Sequence, residues 1–250
     1  MMKIYKIIIF NALLLLSLNL SAKDYKASLF GVKSDGITLN TGSIQYAIDY
    51  ISENGGGTLQ FYVGRYLTGS FELKSNVTIE LKEGAVLVGV VSIYDYIGLK
   101  GTKALITADA QQNIGIIGQG VIEGQGAALQ NSVKAQIQKS YLKGDVAEVS
   151  PLLIYFNGCS NVTIEGVILE DACGDIQSYA GCKNLNEKGV TVYGNSVPGS
   201  KGIVLSDCDG VKLSDSYFET SGTELVMKGA SKNVSVTGCI NSKGKKIQAK

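Results

Sequence analysis

The 250-residue sequence has no histidine, no tryptophan and only two prolines. The lack of histidine excludes Cys/His metal sites and every mechanism that needs an imidazole. With 31 glycines and few prolines, the composition favours many short strands joined by tight turns over a bundle of helices. No cofactor-binding motif stands out, so no cofactor is expected.

The charge is nearly balanced, with 23 Lys and Arg against 22 Asp and Glu, so it predicts neither nucleic-acid nor membrane-surface binding. The chain begins with Lys3 and Lys6, continues as an apolar run over residues 7–20 and reaches Ser21-Ala22. This layout predicts a signal peptide over residues 1–22 and a secreted or periplasmic protein without a membrane span after processing. An uncleaved N-terminal anchor is the alternative.

A repeat organises the second half of the chain. Its copies begin at Cys159-Ser-Asn-Val-Thr-Ile, Cys182-Lys-Asn-Leu-Asn-Glu, Cys208-Asp-Gly-Val-Lys-Leu and Ser231-Lys-Asn-Val-Ser-Val, and their third positions are 23, 26 and 23 residues apart. Earlier copies start at Ser75 and Gln112. Such a period, with alternating apolar residues in each copy, is typical of a solenoid. We predict an all-β, right-handed parallel β-helix as a single domain over residues 23–250.

Within a copy, the period of two predicts that Val162 and Ile164 point inward and that Thr163 and Glu165 point outward. Cys159, Cys182 and Cys208 then occupy equivalent positions in successive coils. We interpret them as a buried ladder of free thiols, with a disulfide or a metal role as the alternatives. Their spacings do not form a zinc knuckle, so no metal site is expected.

Residues 41–53 have apolar side chains at helical spacing, at positions 44, 47, 48 and 51. Thr41 is a candidate N-cap, and Asn54 followed by three glycines predicts the end of the helix. We expect this helix to cover the apolar end of the first coil.

Several motifs along the chain closely resemble the family 28 glycoside hydrolases, the polygalacturonases and their relatives. They are Phe30-Gly-Val-Lys-Ser-Asp-Gly36, Gly55-Gly-Gly-Thr58, Gly64-Arg-Tyr-Leu-Thr-Gly-Ser70, Leu73-Lys-Ser-Asn-Val-Thr-Ile79 and Gly118-Gln-Gly-Val-Ile-Glu-Gly-Gln-Gly126. The resemblance covers about residues 27–240. It implies a secreted β-helix that acts on pectin-type polysaccharide.

In that family the active site comprises an Asn-Thr-Asp turn, an Asp-Asp pair about one coil later, a Gly-His-Gly and an Arg-x-Lys. The resemblance places the first turn at Gly199-Ser200-Lys201 and the pair at Gly222-Thr223. The catalytic carboxylates are therefore replaced by Lys201, Gly222 and Thr223. Inverting hydrolysis needs one carboxylic acid and one carboxylate, so the resemblance implies an impaired enzyme.

Asp175, Glu219 and Glu224 are weak candidates for replacement carboxylates. Because successive residues of a strand face opposite sides, Glu224 should not simply take the place of Thr223 unless the turn carries a bulge. Lys201 and Lys228 are candidates for binding an anionic polysaccharide. A less favoured idea makes Lys201 the base of a uronate lyase.

Three interpretations stay open at this point. The chain is a family 28 hydrolase with impaired activity, a non-catalytic polysaccharide-binding β-helix, or a shortened product of a longer gene that lacks C-terminal coils. The first two predict a pectin- or galacturonan-type partner. An open C-terminal edge, followed by the lysine-rich residues 243–250, also predicts self-association.

Overall fold

The repeat copies pair in register with one another and form three parallel sheets. The computed structural model describes residues 23–249, so the predicted signal peptide, residues 1–22, lies outside the described residues. Ser160 pairs with Lys183, Lys183 with Asp209 and Asp209 with Lys232, which reproduces the spacings of 23, 26 and 23 residues. The predicted parallel β-helix is confirmed.

Each complete coil contributes a strand to each of three sheets, named A, B and C, whereas the first and last coils are incomplete. Sheet A contains β1 (Asp24–Lys26), β2 (Gly57–Phe61), β5 (Val77–Leu81), β9 (Gln112–Gly118), β12 (Ser160–Glu165), β15 (Lys183–Lys188), β18 (Asp209–Ser214) and β21 (Lys232–Thr237). Sheet B contains β3 (Gly64–Thr68), β6 (Ala85–Gly89), β10 (Val121–Glu123), β13 (Ile168–Glu170), β16 (Thr191–Gly194), β19 (Tyr217–Thr220) and β22 (Ile240–Asn241). Sheet C contains β4 (Phe71–Glu72), β8 (Thr102–Asp109), β11 (Leu152–Asn157), β14 (Gln177–Ala180), β17 (Ile203–Ser206) and β20 (Leu225–Lys228), and β7 (Gly98–Leu99) pairs antiparallel with β8.

The helix α1 (Thr41–Glu53) has the predicted bounds and buries the predicted residues Ile44, Ala47, Ile48 and Ile51. The predicted cap was wrong. Asn40 is the N-cap, without a side-chain cap bond, and Thr41 Oγ1 instead accepts a hydrogen bond from the Gly69 amide at 2.7 Å. Thr41 therefore ties the helix to sheet B.

A helical insertion between β10 and β11 was not foreseen. It contains α2 (Gly126–Gln138) and α3 (Val146–Val149), and Leu129 and Val133 of α2 are buried. Short 3₁₀ turns lie at Ala27–Phe30 and Ile93–Asp95. The insertion explains why Gln112 and Ser160, which pair in sheet A, are 48 residues apart.

The interior has the alternation that the repeats predict. Val162 and Ile164 are buried, whereas Thr163 is half-buried and Glu165 is exposed. Cys159, Cys182 and Cys208 are fully buried and free, which confirms the thiol ladder. Asparagines at one corner form a second ladder that the sequence only hinted at: Asn113, Asn161 and Asn184 each donate to the asparagine of the preceding coil at 2.8, 2.9 and 3.1 Å.

One acidic side chain points inward. Glu187 pairs with Ile164 on one side and Leu213 on the other, and it is 0 % exposed. Neither carboxylate oxygen accepts a hydrogen bond from the described residues, and Nε2 of the facing Gln177 is likewise without a partner there. Burial raises the pKa of Glu187 to about 8.

The C-terminal residues turn back onto the last coil. Ile240 forms an antiparallel bridge with Lys246, and the Ile247 amide donates to the Cys239 carbonyl at 3.0 Å. Ile247 packs against the core, while Leu225 and Met227 stay half-buried. The segment after residue 240 thus covers part of the C-terminal edge that was predicted to be open.

Candidate functional site

The two turns predicted to hold the site lie where sheet B strands lead into sheet C strands. Ile203 pairs with Leu225 and Gln177 pairs with Ile203. Counting back two residues in each coil places Asp175, Lys201 and Thr223 at equivalent positions in successive coils. The two turns, about one coil apart in the sequence, are therefore stacked, and Asp175 lies in the same stack.

Lys201 is held by Asp175. Its Nζ atom donates to both carboxylate oxygens at 3.1 Å, and its backbone amide donates to Oδ1 at 3.0 Å. The two side chains are 36 % and 24 % exposed. An ammonium group that shares its protons with a carboxylate lacks the lone pair a base requires, so the ion pair argues against Lys201 as a lyase base. The Asp175 carboxylate is in turn paired with the Lys201 ammonium group.

The second turn is closely packed against the first. The Gly222 amide donates to the Ser200 carbonyl at 2.9 Å, and the Ser200 hydroxyl donates to the Gly174 carbonyl at 2.7 Å. A Cβ atom at Gly222 would lie 2.5 Å from the Gly199 carbonyl oxygen and 2.8 Å from that of Ser200. Contacts this short cannot be relieved without moving backbone, so this turn has no room for an aspartate at position 222.

The helical insertion builds a cavity over the first turn. The cavity has a volume of about 410 Å³, and its lining includes Gln130, Lys134, Ser150, Asp175 and Lys201. Lys134 Nζ donates to Gln130 Oε1 at 2.8 Å, one helical turn away. Among the described residues of this lining, Lys134 and Lys201 are the cations and Asp175 is the only carboxylate. The cavity therefore has a surplus of positive charge.

Lys134 and Gln130 were missed by the sequence reasoning because they belong to the insertion and not to the repeat. The spacing of Leu129, Val133 and Ile137 could have predicted the helix that carries them. It could not have predicted which cavity they line.

The other candidate carboxylates lie elsewhere. Glu219 is on the outward face of sheet B, where its carboxylate accepts hydrogen bonds from Asn195 Nδ2 at 2.7 Å and Tyr217 Oη at 2.9 Å. Glu224 accepts from Asn241 Nδ2 at 2.7 Å and lines a separate cavity of about 420 Å³ near the C-terminal residues.

Thr223 lines this second cavity together with Glu224. Both precede β20, which begins at Leu225, and residues in a turn need not alternate. Glu224 and Asp175 consequently border different cavities.

Lys228 does not join Lys201. It is exposed at the end of β20, in register with Ser206 of β17. Ser206 is five residues beyond Lys201, or roughly 16 Å along an extended chain. The two lysines therefore mark opposite ends of the sheet C strands.

Two further results limit the chemistry of residues 23–249. In this part of the chain no group of three or more potential metal-ligating side chains comes together. No helix there is long and apolar enough to cross a membrane.

The family model for glycosyl hydrolases family 28 matches residues 57–248, which includes both turns. The chain belongs to glycosyl hydrolases family 28. The family 28 match covers the coils that hold Lys201, Gly222 and Thr223, so these residues lie within the family's own fold.

Similar proteins agree with this membership. A crystal structure of a "putative glycosyl hydrolase" from Parabacteroides merdae is 51 % identical, with a TM-score of 0.86, over 91 % of this chain and 99 % of that chain. An exo-poly-alpha-D-galacturonosidase from Dickeya chrysanthemi is 32 % identical over 48 % of this chain and 23 % of its own length. A "Probable polygalacturonase" from Vitis vinifera is 28 % identical over 83 % of this chain and 45 % of its own length. The family 28 chain thus spans less than half the length of the Dickeya chrysanthemi and Vitis vinifera proteins.

Proposed function

We propose that the family 28 chain binds an acidic, pectin-type polysaccharide and that it has lost the family's hydrolytic activity. The observation that carries the proposal is the cavity over the first turn, where Lys134 and Lys201 face a single carboxylate, Asp175. Two ammonium groups against one carboxylate attract a uronate, because opposite charges attract across a partly desolvated site.

Loss of hydrolysis is supported by the same cavity. Inverting hydrolysis requires a carboxylic acid and a carboxylate about 6.5–9.5 Å apart on either side of the scissile bond. Asp175 has no carboxylate partner among the described residues lining its cavity, and it is already bound to Lys201. The packing around Gly222 also opposes the return of an aspartate there.

An exported protein would meet such a ligand, because a pectin-type polymer lies outside the cell that binds it. We propose export to the periplasm or beyond on the basis of the predicted signal peptide over residues 1–22.

Affinity for polygalacturonate tests the binding part. Lys134→Ala should weaken binding about tenfold, and added salt should weaken binding of the parent protein as well. Lys134 is the better probe, because removing Lys201 also leaves Asp175 without its partner. Lys212→Ala is the matched control, since Lys212 is exposed on the outward face of sheet A. Equal affinity of all three proteins would refute the binding site.

A reducing-end assay on polygalacturonate with the purified protein tests the catalytic part. We expect no release above a heat-inactivated control. Turnover above that control would restore the hydrolase interpretation and direct attention to Asp175 and Glu224.

A further inference from the structure

The outward face of sheet B carries an exposed aromatic ring between two carboxylates. Tyr193 of β16 pairs with Glu170 of β13 on one side and with Glu219 of β19 on the other. Neighbouring strands are about 4.8 Å apart, so both carboxylates border the ring. The Tyr193 side chain is 38 % exposed, which leaves part of the ring open to a ligand.

Neighbouring side chains fix this arrangement. The rings of Tyr193 and Tyr217 meet edge to face, with centroids 6.1 Å apart. Tyr217 Oη and Asn195 Nδ2 both donate to the Glu219 carboxylate, at 2.9 and 2.7 Å. A carboxylate has about four acceptor positions, so Glu219 can accept further hydrogen bonds from a ligand.

The charge of this face is opposite to that of the cavity on the other side of the turns. Glu123, Glu170 and Glu219 follow one another along the same outward row, interrupted only by Tyr193. Arg65 forms an ion pair with Glu123 at 2.7 Å. Glu123 lies two coils away from Tyr193. Burial, together with the carboxylates of Glu123 and Asp171, raises the pKa of Glu170. Such a row repels an ionised uronate.

We propose that Tyr193, Glu170 and Glu219 form a binding site for a neutral pyranose sugar. The apolar face of the sugar ring stacks on Tyr193, and its hydroxyl groups donate to the flanking carboxylates. This site is distinct from the proposed uronate cavity and stands independently of it. The protein then contacts two kinds of sugar unit, ionised on the cavity side and uncharged on the sheet B side.

Isothermal titration calorimetry with two tetrasaccharides tests the site: tetragalacturonate and its fully methyl-esterified form, which has the same backbone without the charge. Tyr193→Ala should weaken binding of the esterified tetramer about tenfold or more. Tyr193→Phe keeps the ring and should bind it like the parent protein. Tyr141→Ala is the control, since Tyr141 is 71 % exposed and lies beyond the end of α2.

Glu219→Gln should also weaken binding of the esterified tetramer, while Tyr193→Ala should leave affinity for the ionised tetramer unchanged. Unchanged affinity of Tyr193→Ala for the esterified tetramer would overturn the site, as would failure of the parent protein to bind that tetramer. If only the ionised tetramer binds, and Lys134→Ala weakens it, this site is refuted and the uronate cavity stands. If only the esterified tetramer binds, and Tyr193→Ala weakens its binding, the uronate cavity is refuted and the Tyr193 site stands.

Discussion

The buried Glu187 should make the stability of this protein fall as the pH rises. Its unfolded pKa is near the ordinary value of 4.5, whereas burial raises the folded pKa to about 8. The folded state therefore keeps a proton that the unfolded chain releases. The contribution of Glu187 to the free energy of unfolding is therefore fully present below pH 4.5 and is lost progressively as the pH approaches 8.

The magnitude follows from the difference between the two pKa values. Each pKa unit corresponds to about 1.4 kcal/mol, so Glu187 alone should lower the free energy of unfolding by about 3 to 4 kcal/mol between pH 5 and pH 8. For a chain of this size, that is a fall in Tm of about 7–14 °C. Burial also raises the pKa values of Tyr179 and Cys239, which both lie near Glu187, so neither titrates in this window.

Thermal unfolding followed by circular dichroism at pH 5, 6, 7 and 8 measures the effect, with Glu187→Gln as the matched variant. The amide keeps the shape and cannot titrate, so the difference in Tm between the two proteins should grow in favour of Glu187→Gln as the pH rises. Glu187→Leu, which copies Leu213 in the same row, should gain most at pH 8. Parallel Tm curves for parent and Glu187→Gln would refute the reasoning.

Four other results are expected. The thiols of Cys159, Cys182 and Cys208 are fully buried, so a thiol reagent should modify them only after denaturation; rapid modification of the native protein would contradict this. Gly222→Ala should destabilise the protein by about 2 kcal/mol or more in urea unfolding because its Cβ has no space, whereas Thr223→Ala should cost less. Lys201→Asp combined with Gly222→Asp and Thr223→Asp should leave polygalacturonate hydrolysis near background, and a large gain of activity would show that the turn can adapt. Ile247→Asp should uncover the last coil and increase self-association in light scattering relative to Lys246→Asp, and equal scattering would show that Ile247 does not protect that edge.

Much of the fold could be predicted because the solenoid is a local code repeated along the chain. Alternation within each copy placed Val162 and Ile164 inside, and the spacing of the copies matched the observed register of sheet A. The same comparison of copies could have found Glu187, since it stands where Ile164 and Leu213 stand in the adjacent coils. The positions of Lys201, Gly222 and Thr223 in stacked turns followed from the family resemblance.

What the sequence determined by itself is therefore the coil: strand pairing depends on alternation and period, and each coil needs only its neighbours to bury its apolar face. The site depended on contacts that no local pattern encodes. Lys201 forms an ion pair with Asp175, which is 26 residues away in the sequence. Lys134 lines the same cavity but belongs to an insertion that is not part of the repeat. The packing that excludes a side chain at Gly222 and the placement of Tyr193 between two carboxylates likewise arise only when successive coils stack. Tertiary structure decided these features because charge, space and exposure at a turn are set by the coil beside it.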